Sequence, residues 1–416
     1  MRVGFASLTK GGRDTNFKSC ILKNANSDNL ANLIKHNLDS LNKIIDYNIK
    51  NNIKVFRIAS DIIPFGSSPV NTLNWSKHFE EELLAIGSKI KAHNIRVSMH
   101  PGKYTVLNSI NNQVVDNATL DLEYHNLFLD SLKVSKASKI ILHIGGVYGD
   151  KEAAINRFIK NYRQLNQNIK DRLVIENDDV SYNILDVLRI SKVVDIPVVY
   201  DNLHNEILNA DNSKSDSYWI KMTSHTWKEN DGPQKIHYSQ QDVNKRPGAH
   251  SETINLEEFF NFVESLNYDV DIMLEVKDKN LSALKCINLL DNSEIKHLEL
   301  EWSKYKYSVL EKSPQIYNAI RQLLKDKSAY PVKDFYRLID QALALEEDIG
   351  YSVNALAHVW GYFRRNASDK EKLKFEKMIV DYRSGKIRMG LVKNFLEKLA
   401  IKYNEKYLLN SYYFDI

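Results

Sequence analysis

Eight short apolar runs, most of them rich in Val and Ile and separated by stretches with helical spacing, constrain this chain more than any other feature. They are Arg2–Ala6, Lys54–Ile58, Arg96–Met99, Ile140–Ile144, Leu173–Ile175, Pro197–Tyr200, Ile236–Tyr238 and Val270–Val276. Most are too short for helices and read as buried strands. Between them, Leu30, Leu33, Ile34, Leu38, Leu41, Ile44, Ile45 and Ile49 recur every three or four residues. Phe79, Leu83, Leu84 and Ile90 largely do the same, as do Leu122, Leu129 and Leu132, then Ile155, Phe158, Ile159 and Tyr162. Strands alternating with helices pair in parallel. Eight such units close into a barrel more readily than they spread into an open doubly wound sheet. The open sheet is the structural alternative, but no Gly-rich dinucleotide loop follows the first run to support it.

After about Lys304 the strand-like runs stop and amphipathic helices take over. Ser313-Pro314 reads as an N-cap followed by proline at the first helical position. Phe335, Leu338, Ile339, Ala342, Leu345 and Ile349 form one apolar stripe. Ser368 with Glu371 is a capping-box pair. The expectation is therefore an α/β chain, a (β/α)8 TIM barrel over residues 1–304 followed by a small all-α domain over 305–416. From Tyr305 onward there are 20 Lys and Arg against 14 Asp and Glu, leaving 37 against 39 before it. The positive excess thus belongs to the helical segment, and the barrel would meet an anionic partner through local patches and metals rather than a global field. Two cysteines, Cys20 and Cys286, exclude a disulfide framework and fit a cytoplasmic location. No run of ~20 apolar residues is present, so no membrane partner is expected. The first residues have no signal-peptide anatomy and read directly as a strand.

In a barrel, the C-terminal strand ends converge on one mouth, where enzymes of this fold keep their active sites. There the chain places His100, His143, Glu176, Asp201 with His204, His237, His250 in a following loop, and Glu275. Imidazole with carboxylate suits Zn²⁺, Mn²⁺ or Fe²⁺. Eight such groups exceed the coordination of one ion, so two or three divalent ions are implied, with Glu176, Asp201 and Glu275 able to bridge. Ions ~4 Å apart suit phosphoryl transfer. A single His or Glu at a strand end is usually a hydrogen-bonded structural group, but six consecutive strand ends carrying ligand types are not explained that way. His36, His125, His225 and His297 fall on helical or loop patterns and read as structural or solvated. Asp178 and Asp179 read as loop caps.

These residues sit in ordered motifs: Ile58-Ala59-Ser60-Asp61-Ile62-Ile63-Pro64-Phe65-Gly66, Met99-His100-Pro101-Gly102, Asp121-Leu122-Glu123-Tyr124-His125 and His143-Ile144-Gly145-Gly146-Val147-Tyr148-Gly149. Glu176-Asn177-Asp178-Asp179, Asp201-Asn202-Leu203-His204 and Arg246-Pro247-Gly248-Ala249-His250 continue the series. Over roughly residues 1–300 the chain resembles the UV damage endonuclease family. The resemblance implies a TIM barrel related to endonuclease IV-type enzymes, two or three divalent ions (typically Mn²⁺, with Mg²⁺ or Zn²⁺ as alternatives), and incision of damaged double-stranded DNA just 5′ of a UV photoproduct, extending to abasic sites. It makes His100, His143, Glu176, Asp201, His204, His237, His250 and Glu275 the ligands. Catalytic roles fall to Glu176, Glu275, His237 and Lys235, the last matching a lysine that can be carboxylated. Contact with DNA and lesion falls to Tyr104, Lys103 and Phe5, while Lys245 and Arg246, read from the residues themselves, are either phosphate contacts or a merely solvated pair.

Three departures stand out. Ser68 occupies the place of a histidine ligand. Lys103 replaces a glutamine beside the retained aromatic Tyr104. Phe5 stands where a tyrosine is common, and the asparagine that usually follows is missing. The final ~110 residues resemble a helical domain fused elsewhere to thiouracil-desulfidase-type domains, on motifs such as His358-Val359-Trp360-Gly361-Tyr362-Phe363. Its basic excess permits nucleic-acid contact; packing or dimerisation is the other role open to it. Two rival readings of the whole chain are a metal-dependent sugar isomerase of the xylose-isomerase-like group and a non-catalytic lesion-binding protein. Nothing in the sequence points to a protein partner.

Overall fold

The computed structural model describes every residue except 13, 292 and 293. The expected runs become strands β1 (Arg2–Ala6), β2 (Val55–Ile58), β3 (Arg96–Met99), β4 (Ile140–His143), β5 (Leu173–Glu176), β6 (Val198–Asp201), β7 (Lys235–Tyr238) and β8 (Asp271–Leu274). Each pairs in parallel with the next, and β8 returns to β1, closing the barrel. The seven-residue run Val270–Val276 supplies only four ladder residues, although Val270 and Val276 are also buried.

The strand period of two decides what faces the interior. Ile141, Val174 and Val199 pack together from three adjacent strands, and Ala6, Val55 and Met273 from three others. One layer higher stand His143, Glu176 and Asp201 on the same strands, with Arg57 on β2 and Glu275 just past the end of β8. An apolar floor thus carries the polar mouth. The opposite end is closed by charge. Arg2 grips both carboxylate oxygens of Asp271 at 2.6 Å, and Arg96 Nη1 adds a third bond at 2.8 Å. The Arg96 guanidinium also lies 5.4 Å from the centre of the Trp227 ring.

The helical stripes are helices. Ser27–Lys50 starts from Asn26, whose side chain accepts from Asn29 N, and buries Leu30, Ile34, Leu38, Leu41, Ile44 and Ile45. Glu80–Ala92, Asn112–Ser131 and Lys151–Gln164 follow the other patterns. Leu84, expected in a stripe, is exposed. No helix among the described residues is long and apolar enough to cross a membrane. Neither Cys20 nor Cys286 forms a disulfide among the described residues.

The chain divides into two compact units, Met1–Ile287 and Asn288–Ile416. Lys304 lies inside the helix Ile295–Lys312. The second unit is all helical with its own core, which includes Leu356, Val359, Phe363, Val392, Leu396 and Tyr413. Ser313 caps the helix Pro314–Leu323 with proline in its first turn, and Ser368 and Glu371 form a capping box. The stripe from Phe335 to Ile349 is two helices rather than one. Val332–Leu343 ends, and Asp348 caps a new helix from Ile349 by accepting from Tyr351 N.

Candidate metal centre

Glu176, at the end of β5, is the hub of the barrel mouth. Its Oε1 lies 2.7 Å from His237 Nδ1 and 3.7 Å from His204 Nδ1. Its Oε2 lies 3.2 Å from His100 Nε2 and 3.7 Å from His143 Nε2. Glu275 extends the group, 3.3 Å from His237 Nδ1 through one oxygen and 3.8 Å from His250 Nδ1 through the other. Ligand atoms come within 4.8 Å of one another in three sets: His100, His143 and Glu176; Glu176, His237 and Glu275; Glu176, Asp201 and His204. Glu176 belongs to all three.

Local sequence sets this geometry. Asp201 is the N-cap of the helix Asn202–Ile207, accepting from His204 N at 2.8 Å, so the three-residue spacing returns His204 over its own cap. Asn177 clamps the end of β6. Its side chain accepts from Asp201 N at 2.9 Å and donates to Asp201 O at 3.0 Å. Its carbonyl meets His204 Nδ1 at 2.9 Å, a contact of the kind that orients a ligating imidazole. After His143, Gly145 has φ +112°, and a Cβ there would lie 2.3 Å from Asn108 Oδ1, so glycine is required.

The electrostatics suit cations. Burial would raise the Glu176 carboxyl, but the surrounding imidazoles, His237 and His143 foremost, hold it well below the usual range. Burial pushes His143 down to about 4 against the pull of Glu176, leaving a neutral ring able to donate a lone pair. Burial opposes charge on His204 too, yet Asp201 and Glu176 outweigh it and raise the ring to about 9. Buried polar atoms are nearly always paired. Here the buried His143 Nδ1, His237 Nε2 and Asp201 Oδ2 have no hydrogen-bond partner. Mixed nitrogen and oxygen donors with unpaired atoms in one cluster fit divalent ions.

Around this centre lies a cavity of about 950 Å³, whose lining includes Lys103, Lys245, Arg246 and Lys279. Tyr104 stands out from the rim, 71% exposed, beside the turn at Gly102. Lys103 and Arg246 are exposed as well. Phe5 is a correction. It is fully buried, its ring centre 5.2 Å from that of Phe56, because the alternation of β1 turns it away from the lumen. It has no surface to offer to DNA. Lys235 is also fully buried, and its Nζ has no hydrogen-bond partner. Ser68 sits in a turn, its N bonded to Phe65 O at 3.0 Å and its Oγ accepting from Val70 N at 3.3 Å. Asp178 accepts from the backbone N–H of Val180, Ser181 and Tyr182, as a loop cap should. His125 is buried against the Asp121 carbonyl at 2.6 Å.

Sequence reasoning missed Arg57 and Asn177. Arg57 forms an ion pair with Glu275 and lines the cavity. Its signal was available: an arginine inside the otherwise apolar Val55–Ile58 run.

Comparison with known proteins bears directly on this site. Residues 7–306 match the family described as UV-endonuclease UvdE, and residues 306–416 match a family described as a protein of unknown function, DUF1722. A UV DNA damage endonuclease of Clostridium perfringens (strain 13 / Type A) is 42% identical over 403 residues, covering 94% of this chain and 95% of that protein. One of Bacillus cereus (strain 03BB102) is 33% identical over 287 residues, covering 67% of this chain and 90% of its own length. The crystal structure of SacUVDE superposes with a TM-score of 0.67 at 41% identity, over 70% of this chain and 98% of that one.

Proposed function

The chain belongs to the UV-endonuclease UvdE family, and from that premise we propose that it incises damaged double-stranded DNA just 5′ of UV photoproducts, and at abasic sites, with two or three divalent ions. Manganese is the ion we propose, with magnesium and zinc as alternatives. The observation that carries this reading is the sharing of one buried carboxylate, Glu176, among three overlapping ligand sets. Ions bound there would supply Lewis-acid chemistry to a phosphodiester.

The chain's own residues supply the rest. His100, His143, Asp201, His204, His237, His250 and Glu275 would hold the ions with Glu176. His143 would present a neutral nitrogen, and His204 would have to give up its proton to serve as a ligand. Tyr104 offers an exposed aromatic face that can wedge or stack beside a distorted base. Lys103 and Arg246 supply positive charge on the cavity wall for backbone phosphates. Burial, with Arg96 next, lowers the Lys235 amine well below the usual lysine range. That neutral form reacts with carbon dioxide, forming an N–C bond and releasing a proton. The resulting carbamate anion would have Arg96, Arg57 and Arg2 around it, with Asp271 opposing them, in place of an unpaired amine.

Nicking of undamaged, abasic and UV-irradiated plasmid, with and without Mn²⁺, tests the reading. Wild-type protein should nick the damaged plasmids in Mn²⁺, and Glu176→Ala and His143→Ala should not. Full incision by both variants would refute the mechanism.

A further inference from the structure

One side of the mouth carries more positive charge than its ion pairs use. Lys279 follows β8 and adopts φ +56°, a left-handed backbone that lysine rarely takes. Such strain concentrates where function holds a residue in place. The next residue, Asn280, is fully buried. Its side chain grips the backbone of Lys10 from both sides, accepting from Lys10 N at 2.5 Å and donating to Lys10 O at 3.0 Å. It also donates to Tyr47 Oη at 2.8 Å. A buried amide thus joins the loop after β1 to the loop after β8 and brings Lys10 beside Lys279.

The charges around Lys279 are Arg57 and Lys10, against Glu275 and Asp278. Arg57 is committed to Glu275. Lys277 and Lys245, further along the rim, are neutralised in a network with Asp242 and Glu252. Neither Lys10 nor Lys279 has an ion-pair partner among the described residues. Lys279 is half-buried and lines the same cavity as Glu275 and Arg57. With the charge of Arg57 met by Glu275, Lys279 and Lys10 still repel one another across this group, and withdrawing Lys279 from water without an ion pair is unfavourable. An anion reverses both costs.

We infer that Lys279 and Lys10, joined through Asn280 and flanked by Arg57, form a subsite for one backbone phosphate of the DNA strand lying across the mouth. This rests on the endonuclease reading above. The assignment differs from lesion contact. A phosphate clamp fixes strand register without reading bases.

The test is fluorescence anisotropy of a duplex carrying one thymine photodimer, and of its undamaged twin, in Ca²⁺ between 50 and 200 mM salt. Each phosphate contact contributes a salt slope of about 0.9 on a log–log plot. Full-length Lys279→Met should lower the slope by about 0.9 and Lys10→Met by a similar amount. Lys279→Arg should restore the wild-type slope. The ratio of damaged to undamaged affinity should stay as in wild type. Neutral methylphosphonates placed singly along the incised strand should reveal one position at which wild type and Lys279→Met bind equally. Lys10 is exposed whereas Lys279 is half-buried, so the Lys10 variant keeps the test valid if the Lys279 change harms folding. Unchanged slopes in folded variants, with wild type incising normally, would overturn the subsite alone. Failure of wild type to incise or to prefer the damaged duplex would overturn the endonuclease reading, and the subsite with it.

Discussion

Asp271→Asn tests whether the end of the barrel remote from the mouth is locked by charge. The Asp271 side chain is 2% exposed, and Arg96, its nearest buried partner, is 6% exposed. Arg2 is 34% exposed, so its share of the interaction is screened by water and adds little. The substitution leaves Arg96 buried without that carboxylate, close to Lys139 and Lys235. Removing one member of a buried pair costs about 3–5 kcal/mol. Asparagine keeps one accepting oxygen, so the lower figure applies. For a domain of this size about 1 kcal/mol moves Tm by roughly 2–4 °C, so the expected fall is about 6–12 °C. The assay is thermal melting of the full-length protein followed by circular dichroism. Asp269→Asn is the control, since Asp269 pairs with the N-terminus but is 87% exposed; its change should cost under about 1 kcal/mol. Metal content should match wild type in both, because the candidate ligands gather at the opposite end of the barrel. A fall of less than about 2 °C for Asp271→Asn, or loss of bound metal at unchanged Tm, would refute the reasoning.

Other tests concern the mouth and the helical unit. His204 titrates in the metal-free fold near 9 rather than 6.5, because Asp201 and Glu176 overcome burial. A raised value stabilises the metal-free fold below pH 6.5, and that contribution is lost as pH rises through about 9. In EDTA, His204→Asn should therefore lower Tm more at pH 6 than at pH 9.5; equal losses would contradict the assignment. Tyr104→Ala should weaken binding of damaged duplex by about 1–3 kcal/mol, the worth of one stacked base, while leaving undamaged duplex and metal content alone. Equal weakening for both duplexes would remove Tyr104 from lesion contact. Ending the chain at Asp291 should lower DNA affinity and flatten its salt dependence, since the positive excess lies beyond that point. Identical salt slopes would assign the helical unit another task.

Much of this was legible in the residues. Short apolar runs of three to seven residues, most of them rich in Val and Ile, cannot satisfy their backbone alone, so eight of them separated by helices imply parallel pairing and closure. That His, Asp and Glu side chains would gather at one mouth was legible for the same reason, since strand ends in such a barrel converge there. Caps such as Ser313 and Ser368 were visible because a cap is a local hydrogen bond. Phe5 was misread because its motif lies beside the mouth, while its side-chain direction depends on the parity of β1. The break between Leu343 and Ile349 was missed because an apolar stripe can cross a loop, and only the cap at Asp348 marks the restart.

What the sequence determined by itself was periodic or local: the element order, the chemistry present at each strand end, the caps, and the uneven charge of the two units. What tertiary structure alone decided was which of those groups meet. That Glu176 rather than Glu275 is shared by all three ligand sets depends on the stagger of eight strands. The meeting of Lys10 with Lys279 depends on Asn280, some 270 residues from the loop it grips. Contacts between residues so far apart leave no period in the chain, because they follow from closing the barrel and not from neighbours along it.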